Sequence, residues 1–100
     1  MLHTVNKSPH EKSTLSSCLR IAQSGSDILL IEDGVYAAMT DTQFESQLQD
    51  AICRHRIFAL EEDLACRGLQ ISKLIPGIQT VDYSGFVQLA VENDSVHAWF

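Results

Sequence analysis

Three cysteines, Cys18, Cys53 and Cys66, are the side chains of this sequence best suited to covalent chemistry. Sulfur exchange needs a thiolate to attack and a thiolate to leave, so the question for each is what would hold its thiol ionised. Arg20 lies two residues from Cys18, while Arg54 and Arg67 directly follow Cys53 and Cys66, so a basic neighbour singles out none of them. Cys18 shares a helical stripe with Leu15, Leu19 and Ala22, where burial would raise its pKa and silence it. The odd number, the lack of a CxxC pair and the lack of a histidine at zinc-finger spacing argue against a disulfide framework and a structural zinc site. Free thiols in a reducing compartment fit better.

The second group with chemical potential is acidic: Glu32-Asp33, Glu61-Glu62-Asp63 and Asp82 each follow an apolar run. In an open parallel sheet the carboxyl ends of the strands are where ligands collect. Carboxylates adjacent in sequence point in different directions, however, which makes a weak acid/base pair for a hydrolase. Asp33, Asp63 and Ser84 also stand where a helix N-cap or first turn favours them, so capping is their expected role. Neither GxGxxG nor GxxxxGK[ST] nor a G-x-S-x-G elbow occurs, and His3, His10, His55 and His97 are isolated in sequence. No cofactor or metal is expected.

Thirteen acidic against seven scattered basic residues give a formal charge of −6. A phosphate backbone needs clustered Lys and Arg, so direct nucleic-acid binding is not expected. No apolar run approaches the roughly 20 residues that span a bilayer, and "MLHTVNKSPHEKS" lacks the apolar centre of a signal peptide. The expectation is a cytoplasmic protein, one domain over residues 1–100.

The elements that must position these residues alternate. Strands are expected at Leu2 to Val5, Asp27 to Ile31, Arg56 to Leu60, Gln79 to Asp82 and Val96 to Phe100. The run "DILLI" is continuously apolar, as a strand covered on both faces must be. Helical spacing marks a helix from Ser13 or Thr14 through Ala22, another over Thr42 to Ile52, a short one from Glu61 ending at Gly68, and one over Ser84 to Asn93. In "LLIEDGVYAAM", Asp33-Gly34 reads as a turn, with a helical or turn segment starting at Val35. Such alternation implies right-handed crossovers and an α/β fold: an open, mainly parallel sheet with helices on both faces, in three layers.

Four segments in order, "MLHTVNKSP", "LLIEDGVYAA", "ALEEDLACRGL" and "VDYSGFVQLAVENDSVHAWF", resemble the TusB/DsrH family of sulfur-relay proteins over Leu2 to Trp99. The resemblance implies the DsrE/DsrF-like three-layer fold. It also implies a place in a cytoplasmic heterohexamer, two copies each of three homologous chains, with TusC/DsrF-like and TusD/DsrE-like partners. Such complexes pass cysteine persulfide sulfur to a downstream acceptor protein, in one branch toward 2-thiolation of wobble uridine in tRNA and in the other in dissimilatory sulfur oxidation. The principal persulfide cysteine of these complexes is on the TusD/DsrE-type chain, so the present chain is implied to be mainly an assembly subunit, not catalytic alone. Cys18 in "SSCLR" resembles the first-helix cysteine of DsrH-type members, which makes it the candidate secondary persulfide acceptor and, with "VNKSP" and "IPGI", tilts the sequence toward the DsrH side. A subunit that scaffolds needs apolar surface, and the expected interface residues are Val35, Tyr36, Phe86, Trp99 and Phe100.

Overall fold

A computed structural model describes every residue from Met1 to Phe100. Strands β1 (Leu2–Val5), β2 (Asp27–Leu30), β3 (Arg56–Leu60), β4 (Gln79–Val81) and β5 (Val96–Trp99) form one sheet in the order β4-β3-β2-β1-β5, with every pairing parallel. Parallel neighbours require crossovers, which in proteins are right-handed almost without exception. The chain steps in one direction from β1 to β4, which puts α1 (Thr14–Ile21), a 3-10 helix (Glu32–Ala38), α2 (Glu45–Ile52) and α3 (Glu61–Cys66) on the same face. From β4 it returns across the whole sheet to reach β5 beside β1, so α4 (Tyr83–Glu92) lies on the opposite face by itself.

The two faces are therefore unequal. A cluster of 16 buried residues joins Val5, Ile28, Leu30, Ile57 and Ala59 of the strands to Leu15, Cys18, Leu48 and Leu64 of the helices, whereas the α4 side holds a cluster of only four, Leu2, Leu29, Phe58 and Leu89. Each fully buried large aliphatic side chain contributes roughly 2 kcal/mol, so most of the fold's apolar stabilisation sits on the first face. The expected helices on both faces are present, with one helix doing all the covering on the second.

Local chemistry moved two boundaries and kept a third. The Thr42 to Ile52 helix begins at Glu45, because Thr42 Oγ1 accepts from the Phe44 amide at 3.2 Å and Glu45 Oε1 accepts from the Asp41 amide at 2.7 Å, with Asp41 at φ 64°. These local bonds compete with the first helical turn. The cap of α4 is Asp82 and not Ser84: its Oδ1 accepts from the Gly85 amide at 2.8 Å, a charge-assisted bond the Ser84 hydroxyl could not match. The end of α3 follows expectation, with Gly68 at φ 66° and the Gly68 and Leu69 amides donating to Ala65 and Leu64 carbonyls at 3.1 and 3.0 Å, a Schellman closure.

The segment after β2 departs most from the sequence reading. Glu32-Asp33-Gly34 open the 3-10 helix instead of preceding a helix as a turn. With three residues per turn, Val35 and Ala38 eclipse one another, and both are completely buried in the monomer's own core. Gly34 is required there because a Cβ would run into the Val5 carbonyl oxygen at the end of β1. Val35 is thus a core residue, which corrects its placement among surface contacts.

Candidate functional site

At the carboxyl edge of the sheet, the acids hold backbone and one another's elements. Asp63 Oδ2 accepts from the Glu32 amide at 2.6 Å, at the residue whose φ of 50° starts the 3-10 helix. Arg67 clamps the same joint: its Nε and a terminal nitrogen reach Asp33 Oδ1 at 3.0 and 2.9 Å, and its other terminal nitrogen reaches the Asp63 carbonyl at 3.2 Å and its carboxylate at 3.5 Å. Glu62 accepts from the Tyr83 amide at 3.1 Å, and Asp82 caps α4. These acids are structural but not as caps of their own helices: Asp33 and Asp63 make no side-chain cap bond at the starts of their elements and converge instead on Arg67, while Asp82 takes the capping place expected of Ser84.

The thiols separate cleanly. Cys18 lies on the inner stripe of α1 with Leu15 and Leu19 and is fully buried, and burial pushes its thiol up to about 12. Arg20 is exposed on the helix's other side. At neutral pH Cys18 is therefore a packed thiol, and attack on a sulfane sulfur from this position would first require α1 to open. Cys53 and Cys66 are exposed, with Cys53 Sγ held toward the Gln49 carbonyl at 3.7 Å.

The five residues expected at an interface are dispersed. Val35 is buried and Tyr36 is half-buried beside it. Phe86 packs against the small cluster under α4 and Trp99 against the large one, each half-buried. Phe100 stands 79% exposed. The outer row of α4 was missed: Tyr83, Val87 and Val91 are all exposed, four residues apart, and Val96 of β5 is exposed on the same side of the sheet, opposite Leu2 in register. The signal was legible as period-four apolar residues out of phase with Phe86, Leu89 and Ala90, which took the helix's inward face.

Two of the histidines isolated in sequence, His3 and His97, also meet. Register sets His3 opposite His97 and Val5 opposite Trp99, and the Trp99 indole donates to His3 Nδ1 at 3.0 Å. The His97 and Trp99 rings lie 4.7 Å apart. Together with Met1, Ile21 and Ser26 they line an open groove of about 460 Å³ between α1 and the β5 edge. Below it, His55 Nδ1 pairs with the Ser26 carbonyl at 3.2 Å while its Nε2 is buried without a partner. No cluster of three or more His, Cys, Asp or Glu side chains has metal-binding geometry. No helix is long and apolar enough to cross a membrane.

Comparison with known proteins gives the fold and the family. The backbone is similar to the crystal structure of the ychN protein from E. coli, with a TM-score of 0.81 and 17% identity over 97% of both chains. It is also similar to a protein of unknown function from Methanobacterium thermoautotrophicum, with a TM-score of 0.76 and 13% identity over 97% of this chain and 96% of the other. Those identities speak for the fold alone. In sequence, the chain is 40% identical over 100 residues to protein TusB of Erwinia tasmaniensis and 37% identical over 99 residues to protein TusB of Cronobacter sakazakii, in each case with 99% of this chain and all of the relative covered. A family model described as DsrH like protein matches residues 7–96. With full-length relatives above a third identical and a family match over residues 7–96, the chain belongs to the TusB/DsrH family of sulfur-relay proteins.

Proposed function

We propose that this chain is an assembly subunit of a cytoplasmic, heterohexameric sulfur-relay complex of TusBCD/DsrEFH type, passing persulfide sulfur toward 2-thiolation of wobble uridine in tRNA. Its partners are TusC/DsrF-like and TusD/DsrE-like chains, with a downstream protein accepting the sulfur. The relay step is an exchange in which an acceptor thiolate attacks the outer sulfur of a cysteine persulfide, the donor's S–S bond breaks, and the donor cysteine leaves as thiolate. Both cysteines in that exchange need ionised, reachable sulfur. In this chain Cys18 is sealed in the core with its thiol pushed up to about 12. That single observation takes Cys18, the thiol the family resemblance points to, out of the exchange and supports a scaffolding role for this chain; the exposed Cys53 and Cys66 are read by mass spectrometry of the loaded complex.

The test is co-expression with the TusC-like and TusD-like chains of the same genome, followed by loading with a persulfide donor and mass spectrometry of each subunit. The expected result is a stable complex that gains sulfur on a partner chain and none on Cys18, with transfer unchanged in a Cys18→Ala variant. Sulfur on Cys18, lost together with transfer in that variant, would make it the secondary acceptor instead. Deleting the gene should remove 2-thiouridine from tRNA. Intact thiolation with impaired sulfur oxidation would move the chain to the dissimilatory branch.

A further inference from the structure

The α4 helix is apolar on two sides. Phe86, Leu89 and Ala90 face the sheet, and Tyr83, Val87 and Val91 face outward at 63%, 48% and 74% exposure. A helix apolar all round is ordinarily buried all round. This helix alone covers one face of a five-stranded sheet, and at the β5 side Val96 and Phe100 remain uncovered as well. Five of the eight large apolar side chains that stand exposed in the molecule, Tyr83, Val87, Val91, Val96 and Phe100, therefore fall within its last 18 residues, while Met1 and Ile21 line the groove beside α1 and Ile71 stands apart. Concentration of this kind marks an interaction surface, where single exposed residues would not.

The charged side chains on α4 and its flanking turns are all acidic. No Lys or Arg follows Lys73 in the sequence. Glu62 and Asp82 bracket the start of α4 through the Tyr83 and Gly85 amides, and Glu92 and Asp94 stand at its end. Arg56, the cation that feels Glu92, is already held by both Asp27 oxygens at 2.7 Å. A two-fold pairing of two copies across α4 would bring the acidic start of one helix against the acidic end of the other, between chains each carrying −6. Like charges juxtaposed at a rim oppose such an encounter.

We propose that the outward face of α4, with the face of β5 on the same side of the sheet, seats a different protein chain whose contact surface is apolar at its centre and basic at its rim. The inference rests on the reading of this chain as a sulfur-relay subunit and deepens it by naming the surface and the charge of the neighbouring subunit. Val87 and Val91 form its centre, and Glu92 and Asp94 steer the approach.

The test uses the full chain co-expressed with its TusC-like and TusD-like partners. A Val87→Glu/Val91→Glu variant should keep the wild-type circular dichroism spectrum and melting temperature as an isolated chain, because both side chains are exposed, and should lose co-purification, with affinity lowered at least about tenfold. A Glu92→Lys/Asp94→Lys variant should bind more slowly at low salt and lose most of the salt dependence of the wild-type association rate. Wild-type assembly with the double glutamate variant assembling equally well would overturn this surface and leave the sulfur-relay reading intact. Failure of the wild-type chain to assemble with those partners would overturn the relay reading and the partner named here. A homodimer of the wild-type chain abolished by the double glutamate variant would replace the basic partner with a second copy.

Discussion

The Trp99 indole nitrogen donates to Nδ1 of His3 at 3.0 Å, tying the edge strand β5 to β1 through the side chains of residues 96 positions apart. Because an indole nitrogen can only donate, His3 must be neutral with its proton on Nε2. Protonation at Nδ1 would set two donors against each other. Burial, then His97, the terminal amine and His55, lower the pKa of His3.

His55 is lowered too, first by burial, with the Ser26 carbonyl opposing and Arg54 adding to the shift. The unfolded chain binds these protons near pH 6.5 and the folded chain only below that. The stability they contribute is thus complete above about pH 6.5 and is lost as pH falls through the folded values. Urea unfolding between pH 7 and 5 should show stability declining, accompanied by a change in Trp99 fluorescence. A His3→Gln variant, which keeps an acceptor without titrating, should show a shallower decline.

Asp27 begins β2 with its side chain buried, against which Arg56 contributes two bonds of 2.7 Å and Asn93 one of 3.2 Å. Burial pushes this carboxyl upward, but the hydrogen bonds from Arg56 and Asn93 and the Arg56 charge outweigh it and hold it below the usual carboxylate range. Arg56→Met should leave the buried charge with a single partner and cost roughly 2 kcal/mol in urea unfolding, less than a fully interior pair because water reaches the guanidinium. A cost below about 0.5 kcal/mol would mean the pair contributes no more than an ordinary surface bridge.

Gly34→Ala should be among the most damaging single-methyl additions, since its Cβ would meet the Val5 carbonyl oxygen, which is backbone and cannot swing aside. A loss of about 3 kcal/mol or more, or failure to fold, is the expected outcome in a thermal melt. Gly25→Ala is the matched comparison. It meets no atom within 4 Å and pays only for its φ of 91°, about 1 kcal/mol.

Thiol labelling of the native chain with a maleimide should modify Cys53 and Cys66 promptly and Cys18 only on unfolding, as their exposure dictates. Cys18→Ser should destabilise more than Cys18→Ala, because the hydroxyl would enter an apolar site without a partner. Equal labelling of all three cysteines in the native state would contradict the burial of Cys18 and reopen it as a sulfur carrier.

The sequence by itself determined the alternation of strands and helices, since "DILL" and "RIFAL" carry the continuous apolar runs of strands covered on both faces and Leu15, Cys18 and Leu19 carry a helix's spacing. It also determined the family, because identity along a whole chain accumulates from every position. Tertiary structure decided what each residue does within that frame. Strand order cannot be read from local periodicity, and it is the return of β5 to the β1 edge that joins His3 to Trp99 and leaves α4 alone on its face. The conflict at Cys18 between a nearby arginine and an apolar stripe was settled by the face of α1 that turns inward, since desolvation acts through every packed neighbour while an exposed guanidinium on the far side acts through water. For the same reason Val35, apolar after an acidic turn, went into the core: the close approach of Gly34 to Val5 pulls the 3-10 helix against the sheet, a contact between segments 29 residues apart that no local pattern records.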